Sequence, residues 1–166
     1  MEFLPVQLID YVVHGMQFEV NPQALDIEDE MPAMTPDFFK AEVVIGNKGD
    51  AMFSLKLEVM SQEPSEGILP YDFNITLIGR FAVMPDAWAE AKKNAEARRM
   101  MYTNATAILL GLARGIIHHS TKLGVFEPVI LPSVLLNPPN DPDDEADPEK
   151  AKVTKRPAKR VIVKKS

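Results

Sequence analysis

The sequence predicts an α+β domain in which a four-stranded antiparallel sheet carries C-terminal helices on one of its faces. Alternating apolar and polar residues dominate the first half of the chain, and runs of strong helix formers follow them. Strands that precede helices along a chain are typical of an antiparallel sheet with its helices gathered on one face. No internal repeat is visible, and 166 residues are enough to bury one hydrophobic core.

The first strand region consists of the runs VQLIDYVV and GMQFEV. In the second run Met16, Phe18 and Val20 alternate with polar residues, which predicts one apolar face, whereas the first run alternates poorly. Gly15, which lies between the runs, predicts a bulge or a bend. Residues 21–37 contain three prolines and no periodicity, so they predict a long crossover to the next strand.

Two further strands, FFKAEVVI and AMFSLKLEVM, flank the sequence GNKGD and predict a β-hairpin. Gly46, Asn47 and Gly49 are the residues that we expect to supply a positive φ in its turn. The run YDFNITLIGRFAV predicts the fourth strand. The apolar side chains expected on the inner face of the last two strands are Phe53, Leu55, Leu57, Val59, Tyr71, Phe73, Ile75, Leu77, Phe81 and Val83.

Two helices are predicted after the strands. The run PDAWAEAKKNAEARRMM predicts the first, with Asp86 as its N-cap, and TNATAILLGLARGIIHHSTKLG predicts the second. Met100 and Met101 are then expected between the helices, and Gly124 at the C′ position of the second. The second helix carries a wide apolar stripe made of Ile108, Leu109, Leu112, Ala113, Ile116 and Ile117.

The segment that follows the second helix, GVFEPVILPSVLLNPP from Gly124 to Pro139, is strongly apolar but holds four prolines. Proline fixes φ and has no N–H group, so this segment is neither a helix interior nor a central strand. We therefore expect an extended strap whose apolar side chains are covered by a sheet edge or a groove.

Charge divides the chain into three parts. Residues 141–149 hold six acids and no base, and residues 150–166 hold eight Lys and Arg and no acid. Such blocks cannot bury enough apolar area to offset chain entropy. We predict a folded domain over 1–136, an acidic proline-rich linker over 137–149 and a disordered basic tail over 150–166.

The composition also limits the class of protein. No apolar run reaches 18 residues and the first ten residues lack a basic segment, so we expect a cytoplasmic protein without membrane insertion. Cysteine is absent, and the nucleotide-binding, serine-hydrolase and zinc-protease motifs are all missing. His118 and His119 lie about 100° apart on a helix, and His14 lies on a strand. We therefore predict no enzymatic activity, no metal and no cofactor.

Gly111 and Gly115 form a G-x-x-x-G pattern on the second helix. Small residues at this spacing allow another backbone to approach closely. The pattern fits either contact with a helix of another protomer or close packing of this helix on its own sheet.

Three segments together carry a resemblance to the SecB family of protein-export chaperones. The segment ILLGLARGIIHHSTKLGVFEPVILPSV (108–134) is similar to the family's second half, QFEVNP resembles its first strand, and GRFAV resembles the end of its fourth strand. The resemblance spans most of residues 6–136. The matching positions of the longest segment are Ile108, Leu109, Ala113, Arg114, Ile117, Gly124, Phe126, Leu131 and Val134.

This resemblance implies a SecB-like fold and a function. Family members are homotetramers, dimers of dimers, that use no ATP, hold unfolded polypeptides in long apolar grooves and pass them to the export motor SecA. The strap would then form part of the groove wall. The client-binding residues implied are Met31, Met34, Phe38 and Phe39 in the crossover, and Phe53, Leu109 and Leu112. For the last three, ordinary core packing is the alternative explanation.

Departures from the family pattern concern the partner. Glu19 matches one of the acids that contact SecA, but Gly15 stands where another acid is usual. The final family helix is missing, and the chain ends in KRPAKRVIVKKS. SecA as a partner therefore stays open, and so does a dedicated chaperone of an antitoxin or a phage protein. The basic tail alternatively suggests a nucleic-acid-associated module, although it lacks interleaved aromatic residues for base stacking.

Overall fold

The computed structural model describes residues 6–26, 36–63 and 68–132, and it confirms the α+β prediction. The domain boundaries predicted at 136 and 149 lie outside these residues. Four strands are followed by two helices, and two short 3₁₀ turns, Pro22–Asp26 and Pro36–Phe38, lie between the first two strands. The elements are β1 (Val6–Val20), β2 (Phe39–Gly49), β3 (Met52–Ser61), β4 (Tyr71–Val83), α1 (Pro85–Lys93) and α2 (Ala95–Thr121).

The four strands form one antiparallel sheet in the order β1-β4-β3-β2. β1 and β2 are therefore the edge strands. β1 is continuous over both of the runs that form it, and its pairing with β4 shifts between Val13 and Gly15, as the predicted bulge requires. A second shift, between Leu8 and Asp10, was not indicated by the sequence.

The hairpin between β2 and β3 turns at a different place from the one predicted. The strands stay paired as far as Gly49 and Met52, and the turn consists of Asp50 and Ala51. Positive φ falls on Ala51, at 53°, and not on the predicted glycines. Gly46 and Asn47 instead lie at a register shift between Ile45 and Lys48. The two paired strands of the hairpin therefore extend further than the glycine and asparagine positions predicted.

The core lies between the sheet and the helices, as predicted. All ten apolar residues expected on the inner face of β3 and β4 are buried. Phe53 is the centre of an aromatic group: its ring stacks on Phe81 at 5.3 Å between centroids and meets Tyr102 edge-on at 5.1 Å. Trp88 stacks on Phe53 at 6.4 Å and joins α1 to this group.

The prediction of the boundary between the helices was wrong. α1 ends at Lys93, and Asn94 caps α2 by accepting hydrogen bonds from the backbone N–H groups of Glu96 (2.9 Å) and Ala97 (3.4 Å). Met100 and Met101 lie within α2. Strong helix formers lie on both sides of Asn94, so the apolar periodicity of the sequence does not reveal this break, although Asn is a strong N-cap.

Asp86 is not the N-cap of α1. Met84 occupies the cap position and Pro85 is the first helical residue, so Asp86 lies in the first turn. Its carboxylate there still lies near the positive end of the helix dipole.

α2 packs its predicted stripe on the sheet. Leu109, Ala113 and Ile117 are fully buried, whereas Ile108 is 37% exposed at the border of the stripe. A Cβ atom at Gly79 of β4 would lie 2.7 Å from Leu109 Cδ2, so this glycine permits the close approach of helix and sheet. α2 is long and apolar enough to cross a membrane by length and composition alone, but its stripe forms part of the protein core.

Candidate functional site

The edge strand β1 is the most unusual surface of the described chain. On one side it pairs with β4, and on the other side no described strand pairs with it. A fifteen-residue edge leaves a long row of backbone N–H and C=O groups available for pairing.

The face of β1 that points toward the helices is largely uncovered. Residues paired directly across strands lie on the same face of a sheet, and Val13 pairs with Leu77, and Met16 with Ile75. Leu77 and Ile75 are fully buried, whereas Val13 is 41% and Met16 55% exposed. The helices thus cover β4 but leave this part of β1 open. We call this region the β1 surface, which consists of Tyr11, Val13, Met16 and Val20.

The opposite face of β1 also exposes apolar side chains. Val12, which pairs with Ile78, is 59% exposed on that face, and Ile9, which lies at the register shift between Leu8 and Asp10, is 49% exposed. Soluble proteins usually protect long edge strands with charge, proline or short length. β1 carries two register shifts and the charged residues Asp10 and Glu19, yet it still exposes apolar side chains along its length, and this exposure indicates a surface that binds another polypeptide.

The strap is held to the body by two side-chain hydroxyl groups. The backbone N–H of Phe126 donates to Tyr71 Oη (2.9 Å), and this hydroxyl donates to the Phe126 carbonyl oxygen (3.1 Å). Thr121 Oγ1 accepts from the Val129 N–H (2.9 Å) and donates to the Ile117 carbonyl oxygen (2.8 Å). These hydroxyl groups form hydrogen bonds with backbone groups of the strap that no described β-strand pairs with.

Gly124 is not the C′ residue that was predicted. α2 ends at Thr121 with Lys122 as the C-cap, which places Gly124 two residues beyond the cap. Contact with Tyr71 explains the glycine instead, because a Cβ atom at this position would lie 2.3 Å from Tyr71 Oη.

The described part of the strap, residues 124–132, has a buried side and an exposed side. Val129 and Leu131 are 3% and 1% exposed and belong to the core, whereas Val125 and Ile130 are 71% and 64% exposed. The strap therefore buries one side against the core, and its other side adds exposed apolar side chains to the surface.

The strap and the β1 surface meet at Tyr71. Val20, the last residue of β1, pairs with Tyr71, whose ring contacts Phe126 edge-on at 5.8 Å between centroids. The Val20 end of the β1 surface and Phe126 of the strap therefore lie at the same end of the sheet.

The client-binding residues implied by the resemblance are not gathered on a described surface. Met31 and Met34 lie outside the described residues. Phe39 begins β2 rather than lying in the crossover, and Phe38 and Phe39 are 5% and 7% exposed. Their role in client binding stays a prediction.

The other three implied residues belong to the hydrophobic core. Phe53 and Leu109 are buried, and Leu112 is partly buried against the core. Ordinary core packing therefore explains these three residues better than client binding does.

The sequence did not lead us to predict the β1 surface. The poor alternation of VQLIDYVV was nevertheless a signal that apolar side chains lie on both faces of this strand.

Gly111 and Gly115 lie on the outer side of α2. Both are exposed, and a Cβ atom at either would have no described neighbour within 4 Å. Close packing on the protein's own sheet therefore does not explain them. Contact with a helix of another protomer stays a prediction.

The outer face of the sheet carries charged side chains in addition to exposed apolar ones. Arg80 Nε donates to Asp10 Oδ1 at 2.7 Å, and a second bond joins Arg80 Nη2 to Asp10 Oδ2. These hydrogen bonds and the arginine charge lower the pKa of the Asp10 carboxyl group. Glu19 is exposed beside Asp72 and accepts from Gln17 Nε2 (2.9 Å). Its role as a partner contact stays a prediction.

Metal ligands do not converge in the described residues. No group of three His, Asp or Glu side chains is placed there to hold a metal ion. His118 is half-buried and its neighbour His119 is exposed.

Replacing Thr121 by Val should lower the free energy of unfolding by about 1–3 kcal/mol, because the buried N–H of Val129 would lose its acceptor. Thr103→Val is the matched control, since the Thr103 hydroxyl donates to the Arg99 carbonyl oxygen at the exposed surface (2.9 Å). Urea unfolding of both variants measures the difference. Equal effects would show that the Thr121 hydroxyl does not anchor the strap.

Comparisons with known proteins give no family assignment. No protein-family model matches the sequence, and no curated protein matches it. Among solved structures, the chain is similar to a SecB-like chaperone of Mycobacterium tuberculosis in complex with a ChAD peptide from the HigA1 antitoxin. The match covers 78% of this chain and 90% of that chain, at 12% identity and a TM-score of 0.48.

A protein of unknown function from Streptococcus agalactiae is also similar. It matches over 78% of this chain and 98% of its own, at 14% identity and a TM-score of 0.40. At these identities and TM-scores, the roles of individual residues in the two proteins do not carry over to this chain.

Proposed function

We propose that this protein is an ATP-independent chaperone that holds unfolded polypeptides on the β1 surface and the exposed side of the strap. The observation that carries the proposal is the fifteen-residue edge strand with exposed apolar side chains on both faces. The resemblance of the sequence to the SecB family supports the same function.

The binding mechanism follows from the chemistry of an edge strand. An extended client segment would add to β1 through backbone hydrogen bonds, which do not depend on the client's side chains. Apolar client residues would pack on Tyr11, Val13 and Met16, and each contact would contribute in proportion to the apolar area removed from water. Such a site selects unfolded chains because folded proteins offer few free backbone groups and little apolar surface.

No nucleotide is needed for this action. A protein that binds only the unfolded state of a client shifts the folding equilibrium of that client by mass action. Release would follow from dissociation, after which the client folds or passes to another partner. We propose two alternative roles for this chaperone. It passes clients to SecA for export, or it holds one dedicated client such as an antitoxin or a phage protein.

The proposal is tested by refolding a denatured protein in the presence of this chain. We expect refolding to slow as the chain concentration rises, without added ATP, and to recover when a competing unfolded polypeptide is added. A natively folded competitor serves as the control. An unchanged refolding rate at excess chain would contradict the proposal.

Mass spectrometry of polypeptides that co-purify with the chain separates the two roles. Secreted precursors would indicate export, and one recurrent small partner would indicate a dedicated client.

The assembly that we propose is a homotetramer in which α2 helices meet at Gly111 and Gly115. The absence of described neighbours at both positions leaves room for another helix. Replacing both glycines by Leu should therefore shift the protein to smaller oligomers without unfolding it, as light scattering would show. An unchanged tetramer would contradict the helix contact.

A further inference from the structure

A cavity of about 570 Å³ lies between the tip of the β2–β3 hairpin and the junction of α1 with α2. This volume is in the usual range for ligand sites. Each of β2, α1 and α2 contributes one cation to its lining, and the β2–β3 turn contributes the lone carboxylate. These residues are Lys48, Lys92, Arg98 and Asp50. The charge of the lining therefore favours an anionic occupant.

Trp88 forms part of the cavity wall and lacks a hydrogen-bond partner. It is only 9% exposed, and its indole Nε1 atom is buried without an acceptor among the described residues. Lys92 Nζ lies 5.5 Å from the centre of the same ring. A buried N–H group without an acceptor is costly, so an occupant whose oxygen atoms reached Nε1 would offset this cost.

The geometry of the cavity is fixed by contacts between the helices. Arg98 Nη1 donates to the Ala91 carbonyl oxygen at 3.2 Å, which joins the first turns of α2 to the end of α1. Arg98 also lies in the first turns of α2, where the positive end of the helix dipole favours a negatively charged ligand. Carboxylate groups, which accept hydrogen bonds and carry charge, match all of these features.

The chain itself carries a matching anion. Residues 141–149, with the sequence DPDDEADPE, hold six carboxylates and no base. The α2 segment from Thr121, which is bonded to the strap, to Arg98 is about 35 Å long. Glu149 lies seventeen residues beyond Pro132, and this length of chain can span up to about 56 Å. Asp141, the first acid, can span only about 30 Å from Pro132, so the later acids of the segment are the ones that can reach the cavity, and the tether raises their effective concentration there.

We infer that the cavity lined by Lys48, Lys92, Arg98 and Trp88 is a carboxylate-binding site whose occupant is the acidic segment 141–149 of the same chain. Docking brings its carboxylates to the three cations and gives the Trp88 N–H group an acceptor. It also fixes the point from which the basic tail leaves the body.

Trp88 is the only tryptophan in the chain, so its fluorescence reports on this cavity alone. In the full chain at 20 mM salt, acrylamide should quench Trp88 at least twofold less efficiently than in a variant whose six acids of 141–149 are changed to Asn and Gln. A synthetic peptide DPDDEADPE should restore protection to that variant. Raising NaCl to 1 M should remove the protection from the parent chain.

Two further variants locate the site. Lys48→Gln with Lys92→Gln should make the full chain as accessible to quenching as the acid-free variant, and should abolish the effect of the peptide. Both lysines are exposed, so the fold should persist. Lys40→Gln with Lys56→Gln changes the net charge equally but leaves the cavity lining intact, and should quench like the parent.

Three results would overturn the inference. The first is equal quenching of the parent and the acid-free variant at low salt. The second is loss of protection in the Lys40 and Lys56 control, since net charge and not the cavity would then be responsible. The third is that the same concentration of citrate protects Trp88 in the parent and in the acid-free variant. That result would assign the site to a free anion, and residues 141–149 would have no role in it.

Discussion

Replacing Tyr11, Val13 and Met16 by Thr is expected to weaken the binding of an unfolded polypeptide roughly 100-fold while leaving the melting temperature almost unchanged. Each side chain should contribute on the order of 1 kcal/mol of apolar burial with a client, and 1.4 kcal/mol is tenfold in affinity. The three residues are 41–55% exposed in the free protein, so little core packing is lost. Threonine retains a high β-propensity at these positions.

The control for this variant is Val44→Thr with Met52→Thr, which changes side chains of similar exposure outside the β1 surface (57% and 40%). Affinity is measured by fluorescence anisotropy of a labelled unfolded chain, and stability by a melting curve on the same samples. If the control loses affinity to the same extent, exposed apolar area in general binds clients and the β1 surface has no special role. Contacts elsewhere on a multivalent assembly would reduce the loss through avidity.

Replacing Phe38 and Phe39 together by Ser is expected to unfold the protein or to lower its stability by several kcal/mol. Both phenylalanines are buried, and the Phe38 carbonyl oxygen accepts a hydrogen bond from the Gln62 N–H (2.8 Å), which joins the second 3₁₀ turn to the end of β3. Truncation of a buried phenylalanine costs about 3–5 kcal/mol, and a whole domain is stable by only about 5–15 kcal/mol.

A melting curve and a client affinity measured on the same double variant decide between the two roles of these residues. Leu25→Ser, at a side chain 60% exposed in the first 3₁₀ turn, is the control for a change of the same kind at the surface. A normal melting temperature combined with weak client binding would restore Phe38 and Phe39 to the client site that the SecB resemblance implies.

The sequence shows which residues are apolar but not which of them the fold buries. The SecB resemblance implies Phe53 and Leu109 as client-binding residues, with core packing as the alternative, and both lie in the core. Tyr11 and Met16 were not selected, because a residue type does not tell whether a helix covers it. Exposure depends on where α2 lies across the sheet, and that position is set by packing of residues far apart in sequence, such as Leu109 on Gly79.

The sequence by itself determined the four strands, the inner faces of β3 and β4, and the order of strands before helices. These features depend on periodicity, and side chains repeat every second residue in a strand whatever the tertiary context. The bulge near Gly15 and the non-helical backbone of the strap were likewise local consequences of glycine and proline. Only the tertiary structure decided that β1 pairs with β4 and lies at an edge, that Asn94 divides the helices, and that Tyr71 and Thr121 hold the strap. The strand order and the contact of Tyr71 with the strap depend on contacts between segments distant in the chain, whose free energies no local pattern encodes, whereas the Asn94 cap is a local contact that the helix formers on both sides of it obscured.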